Sequence, residues 1–407
     1  MWRNAAGTTM GVMAATRVLI AGGGVAALEA ALALRRLAEE RVSIDLVAPE
    51  PRFWYRPLAV LEPFGTRRLH GIDLAEIAEE CRALFIVDTV AAVDPDLRLA
   101  RTAAGAELEY DLLLLATGTK PVAAVPGALT FRGAADTRAF STLLSELEGG
   151  SVERVLFALP GGVAWPLPLY ELALQTAAFL DERRIAGTRL TIVTGEDAPL
   201  GLFGAAASAA VGELLARRRI DVRTGTYPVA FADGVLALTP GGSVAADRVV
   251  ALPRLLGIPL AGIPSDADGF VPTDPSGRVL GLDDVFAAGD LVAFPVKQGG
   301  LAAQQADAAA ESIAARAGAP IEPRPFRPVL RGLLFTGGPP TFLRAEVDGG
   351  HGETSLAGPE ALWWPPGKIV GRYLAPFLAE RAGTILSPPS VAEAMPVAVD
   401  LASALGG

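Results

Sequence analysis

At 407 residues, with 51% hydrophobic and only 20% charged residues, the chain is too apolar to be disordered and long enough for two or three domains with large cores. Its 35 basic against 45 acidic residues leave a net charge of −10, which argues against nucleic acid and against electrostatic docking on anionic lipid. Cys81 is the single cysteine, so an internal disulfide is excluded and a cytoplasmic setting is expected.

Met1 to Thr16 lack the apolar core of a signal peptide and are expected to form a loose extension. The apolar run Val18 to Ala21 then predicts a buried strand, and a helical apolar pattern follows at Ala27, Leu28, Ala31, Leu32, Leu34 and Leu37. Between them, Gly22, Gly24 and Ala27 fit the G-x-G-x-x-G/A fingerprint of a dinucleotide-binding turn. Gly22 would allow the tight turn, Gly24 would let a pyrophosphate approach the backbone, and Ala27 would let the helix pack closely. The helix N-terminus offers free N–H groups and a positive dipole end to phosphate. Val42 to Ala48 predicts a second strand, and Glu50 follows at about the 20-residue spacing of a ribose-binding acid.

Arg52 to Gly65, RFWYRPLAVLEPFG, is an aromatic, proline-stiffened loop suited either to wall a flat ring system or simply to pack. Cys81 falls in a predicted helix, Leu74 to Arg82, where a thiol packs rather than reacts. Phe85 to Val93 and Ala106 to Tyr110 alternate like strands around a turn at Asp94-Pro95. Tyr110 to Lys120 is an apolar strand that ends in Ala116-Thr117-Gly118.

A second βαβ unit opens near Gly149-Gly150, with strands Arg154 to Leu159 and Leu190 to Thr194 around a helix from Pro168 to Leu180. Its turn, Pro160 to Pro168, fits no glycine fingerprint: Trp165 fills the backbone room a phosphate needs, and the prolines remove N–H donors. An NAD(P)H site in the usual mode is therefore not expected, although Glu196 stands where a ribose-binding acid could sit. Short strands from Ile220 to Val250 close the unit, and Ala251 to Pro264 return the chain to the first. Val285 to Asp290, VFAAGD, is a strand ending in Gly289-Asp290, and a long helix from Leu301 to Ala315 comes after Lys297. His70 and His351 are isolated and suggest no metal site. The tail after Gly383, with Pro388-Pro389 and few basic residues, is a poor membrane binder.

The three turns, in this order, resemble the nucleotide-binding signature of the pyridine-nucleotide–disulfide oxidoreductase superfamily over about residues 17 to 380. That resemblance implies an α/β fold of two Rossmann-like dinucleotide-binding domains, the first split in sequence, plus a small C-terminal capping domain. The implied divisions are 17–148 and 251–323 for FAD, 149–250 for the second unit and 324–407 for the cap. It further implies FAD held by Gly289 and Asp290 at the ribityl and pyrophosphate, with Thr117 and Gly118 nearby. Arg56 and Pro57 would lie beside the isoalloxazine, Thr89 and Val90 at the adenine, and Lys297 near the pyrimidine end, where a cation raises the reduction potential.

The turn PGGVAWPLPLYE, with Tyr170-Glu171, and the later GEDAPLGLFG resemble the sulfide:quinone oxidoreductase and sulfide dehydrogenase branch. That branch carries a redox cysteine where this chain has Trp165, so its disulfide chemistry is not inherited. The resemblance also implies an apolar acceptor pocket near Phe335, Gly337 and Trp363.

Together these features predict an FAD-dependent oxidoreductase that moves electrons from a small donor near Trp165 and Lys297 to a quinone-like or other small acceptor. Glu171 is a candidate proton carrier. Two alternatives stay open: an NAD(P)H dehydrogenase with an atypical site, and a non-catalytic flavin-bearing module that binds a partner protein. The oligomeric state is not legible.

Overall fold

The computed structural model describes residues 14–66, 71–348 and 351–381. The expected loose extension before residue 14, His70, and the tail with Pro388-Pro389 lie outside them. The first unit is a five-stranded, all-parallel sheet in the spatial order Val285–Ala287, Leu112–Leu115, Thr16–Ala21, Val42–Ala48, Ala83–Val87. Val18–Ala21 and Leu112–Leu115 in its middle are unbroken apolar runs because helices or loops cover both faces, and all their residues are buried. The first strand starts at Thr16, one residue inside the expected extension.

Helix α1 (Val25–Ala38) follows the first strand, and the short α2 (Leu74–Glu80) ends at the buried Cys81. Burial pushes that thiol up to about 12, which leaves it protonated and inert. The alternating stretch Phe85 to Val93 is two elements: Ala83–Val87 joins the parallel sheet, and Val90–Asp94 opens an antiparallel meander with Leu99–Thr102 and Glu107–Glu109.

The crossing to the second unit is a two-stranded ribbon in which Lys120–Val122 pairs antiparallel with the returning Arg254–Leu256. The second sheet is again five-stranded and parallel, in the order Leu129–Thr130, Arg248–Ala251, Arg154–Leu159, Arg189–Thr194, Ile220–Arg223. This corrects the expected division at residues 148 and 149. Leu129–Thr130 and helix α3 (Thr137–Glu148) belong to the second unit, because Phe140, Leu143, Leu144 and Leu147 pack in one core with Val155 and Phe157. Helix α4 (Leu167–Arg183) bridges the central pair of strands, and α5 (Ala205–Arg217) follows the next.

The chain then returns to the first sheet and forms α6 (Gly299–Arg316), which lies along α1. Alanines 26, 27, 30 and 33 of α1 and 302, 303, 306 and 309 of α6 are buried, and their small side chains let the two helices approach closely. A three-stranded antiparallel sheet (Val329–Leu334, Thr341–Asp348, His351–Gly358) caps the second unit, and α7 (Leu374–Arg381) returns to the first.

Candidate functional site

The parallel register aligns Ala287, Leu115 and Ala21, with Val47 beside them, at the carboxyl edge of the first sheet. The turns Gly22–Gly24, Ala116–Gly118 and Gly289–Asp290, far apart in sequence, therefore emerge side by side, at the edge where open α/β sheets bind ligands. Gly22 donates its N–H to Val47 O at 2.8 Å and has φ +135°. A Cβ there would stand 2.2 Å from the Ala116 carbonyl oxygen, so only glycine lets the two turns close together. Gly24 differs: a Cβ would meet nothing within 4 Å, so its backbone faces open space. No side chain caps α1 at Gly24 and no acid occupies its first turn, which leaves the positive end of the helix available to an anion. Gly118 also faces open space, and Glu50 stands exposed just past the second strand. Ala27 is fully buried against the sheet, as close packing requires.

Asp290 is half-buried between two cations, Lys297 and Arg56; burial pushes its carboxyl up, and both cations pull it back. Gly289 donates its N–H to Gln305 Oε1 at 2.8 Å, which ties this turn to α6. Lys297 is 8% exposed; its ammonium donates to the Val292 carbonyl and lies 4.0 Å from the centre of the Phe270 ring. Burial pushes that amine down to about 8, against the pull of Asp290 and Asp266. Gln298, not Lys297, caps α6, accepting the Leu301 N–H at 2.8 Å. Arg56 is exposed and Pro57 half-buried, at the start of the nine-residue 3-10 helix Arg56–Phe64. Val90 is buried in the core beneath the meander, and Thr89 is exposed at its edge.

The second unit is arranged differently at the same edge. The Tyr227 ring lies over Gly195 and Gly161, so that a Cβ on Gly195 would be 2.0 Å from it. Glu196 accepts the Tyr170 hydroxyl at 2.5 Å and the Thr194 hydroxyl at 3.0 Å, so the acid is spent on internal partners. Trp165 meets Phe203 edge to face at 5.7 Å and packs at the rim of the core. The turn nevertheless touches the first unit, since Ala164 O accepts the Lys297 N–H at 3.4 Å.

Glu171 is fully buried and does not open onto a site. Its Oε1 accepts from Lys368 Nζ at 2.6 Å and from the Phe335 N–H at 2.9 Å. Burial pushes the Glu171 carboxyl up and the Lys368 amine down, while each draws the other back towards its charged form. The expected pocket near Phe335, Gly337 and Trp363 is largely filled. Trp363 is 2% exposed against Phe342, and Gly337 is pressed on α4, where a Cβ would meet Ala178 Cβ at 2.1 Å. Lys368, Tyr55, Tyr227, Glu29 and Asp307 escaped the sequence reading as site-forming groups. The one available signal was acids inside alanine-rich helices: Glu29 in one, Asp307 and Glu311 in the other.

Two parallel sheets with crossover helices, the first carrying three converging turns, define a double dinucleotide-fold scaffold. The chain belongs to the pyridine nucleotide-disulphide oxidoreductase family, whose model matches residues 16–312. It is 32% identical over 221 residues to the sulfide-quinone reductase of Aquifex aeolicus (strain VF5), a match covering 51% of this chain and 50% of that protein. The chain thus spans about half the length of that relative. An NADH dehydrogenase-like protein of Mycobacterium tuberculosis is 26% identical over 295 residues, covering 68% of this chain and 73% of the relative. The crystal structure of the Aquifex aeolicus sulfide:quinone oxidoreductase superposes with a TM-score of 0.77 at 23% identity, over 84% of this chain and 87% of that one. Among the described residues no acid, histidine or cysteine cluster could hold a metal, and no helix is long and apolar enough to cross a membrane.

Proposed function

We propose that the chain is an FAD-dependent oxidoreductase that takes electrons from a small donor other than NAD(P)H and passes them to a quinone-like or other small acceptor. The observation that carries this reading is the contrast between the two carboxyl edges. The first has open space at Gly24 and Gly118 beside an uncapped helix N-terminus, which fits a pyrophosphate; at the second, Tyr227 covers Gly195.

FAD, when bound, supplies two-electron transfer. Gly22, Gly24 and Ala27 would hold its pyrophosphate at the start of α1, and Glu50 would take a ribose. Thr117, Gly118, Gly289 and Asp290 would line the approach, with Arg56 and Pro57 at the ring. Lys297 sets a positive charge beside Asp290 in a dry setting, where it favours added negative charge. Glu171 holds Lys368 in place, and Trp165 packs the wall between the units. With one buried cysteine the chain has no thiol pair, so the sulfide chemistry named for its relative does not transfer by way of a disulfide.

The test is an anaerobic titration of purified protein incubated with FAD, followed by its visible spectrum. The expected result is a yellow protein that dithionite bleaches and that neither NADH nor NADPH does. A protein that stays colourless overturns the flavin assignment. Bleaching by NADH within a turnover time overturns the exclusion of nicotinamide. A flavin that no small donor reduces favours the partner-binding module.

A further inference from the structure

Helices α1 and α6 begin side by side, and the third glycine turn sits between them. A Cβ on Gly289 would stand 3.0 Å from Ala26 Cβ on α1 and 3.7 Å from Ala302 Cβ on α6, so the gap between the helices sets the seat of this turn. The helices' own residues there, Ala26, Ala27, Ala302 and Ala303, hold the two backbones apart by no more than methyl groups. A larger group enters from elsewhere in the chain. A Cβ on Gly299, the first residue of α6, would lie 3.2 Å from Ile369 Cγ1 and 3.9 Å from Cγ2 of Val25, the first residue of α1. Ile369 is 1% exposed and packs in the same core as Ala26 and Ala302, so its branched side chain fills the notch between the two helix starts.

Its neighbours pin it there. The Ile369 N–H donates to the Tyr55 hydroxyl at 2.8 Å. Before it, Lys368 Nζ donates to Glu171 Oε1 of the second unit at 2.6 Å. After it, the Tyr373 and Leu374 N–H groups donate to Glu29 of α1 at 2.7 and 2.8 Å. Gly371 passes so close to that carboxylate that a Cβ would stand 2.2 Å from Glu29 Oε2. The side chain next to Ile369 turns the other way: Val370, also buried, packs with Phe342 and Trp363 in the C-terminal cluster.

We propose that Ile369 is a positioning residue: it sets the spacing of the starts of α1 and α6, and through that spacing the fit of the dinucleotide between Gly24 and the Gly289-Asp290 turn. The inference rests on the flavin reading for what occupies the site. Close-packed interiors transmit displacement, and a ligand is held well only when its contacts stand within about 0.5 Å of their proper place. Without the wedge the two helix starts move relative to one another, and Gly24 and Gly289 move with them.

FAD affinity and the urea midpoint, measured on the same purified variants, test this. Ile369→Ala should raise the FAD dissociation constant about tenfold or more. Val370→Ala removes nearly as much side chain from the same stretch, but from the other cluster. It should lower the urea midpoint to a similar degree and bind FAD as the wild type does. Ile369→Val keeps Cγ1 and should restore most of the affinity. A merely structural role predicts that affinity falls in step with stability in both alanine variants, and that result overturns the proposal; so does wild-type affinity in Ile369→Ala. Should that variant not fold, Gly299→Ala decides, because alanine suits a helix better than glycine while its methyl presses on Ile369. The new methyl meets Val25 only at an ordinary contact distance, so α1 feels it through Ile369. The readout is hydrogen exchange, without FAD, at the Leu28 amide, which donates to Gly24 O at 3.1 Å in the first turn of α1. Exchange should quicken several-fold in Gly299→Ala and in Ile369→Ala, and an unchanged rate overturns the proposal. Because this readout needs no cofactor, a protein that takes up no FAD sinks the flavin reading and leaves the wedge to be judged on exchange.

Discussion

The ion pair of Lys368 and Glu171 joins residues almost 200 positions apart, and neither partner is more than 8% exposed. Taking two charges out of water is costly, so such a pair contributes little net stability, yet losing one member strands the other. Lys368→Met should therefore destabilise the protein by about 3–5 kcal/mol, read as a fall in the urea midpoint. Adding Glu171→Gln keeps an acceptor for the Phe335 N–H and removes the stranded charge, so the double variant should recover much of the loss, with a coupling of about 2–3 kcal/mol. A Lys368→Met variant as stable as the wild type would mean that water reaches Glu171. Lys297, which the resemblance puts near the flavin, is drawn inward by the Val292 carbonyl and the Phe270 ring, and no local pattern encodes that burial.

At the scale of elements, much of the fold was legible. Leu112–Leu115 and Val155–Leu159 are apolar runs that follow a charge and lead into a glycine or proline turn, and buried parallel strands carry that signature. The two-residue strand Leu129–Thr130 is too short to have a period, which is why the start of the second unit was misplaced by about 20 residues. Tyr227 lies more than 30 positions from the glycine it covers, and the Tyr373 and Leu374 N–H groups reach Glu29 from more than 300 positions away; both are products of tertiary packing. The first glycine turn was legible because its chemistry is local, and its two outer glycines should respond differently to alanine. Gly22→Ala drives a Cβ into the Ala116 carbonyl at a φ that L residues rarely adopt, and should cost about 1–3 kcal/mol from backbone strain alone, seen in the urea midpoint of the apoprotein. Gly24→Ala meets no neighbour at φ −93°, so stability should hold while FAD affinity drops, because the methyl group stands where a pyrophosphate would approach. If Gly24→Ala binds FAD as the wild type does, the phosphates lie elsewhere.

For the molecule as a whole, sequence reading suggests separable domains, but the packing does not respect them. One core joins Val60 and Leu61 of the first unit, Phe157 and Leu174 of the second, and Leu330 and Leu343 of the C-terminal sheet. The chain crosses between units on a paired ribbon and then returns through α7 to the core around α1. Glu171 ties the second unit to Lys368, and Glu29 ties the nearby Tyr373 and Leu374 to the first. Unfolding either unit alone would expose apolar surface on the other and strand a buried carboxylate, so the two should melt together. Calorimetry at neutral pH should give one transition, with a ratio of van't Hoff to calorimetric enthalpy near ~1. Two resolved transitions would show that the shared core is weaker than each unit's own.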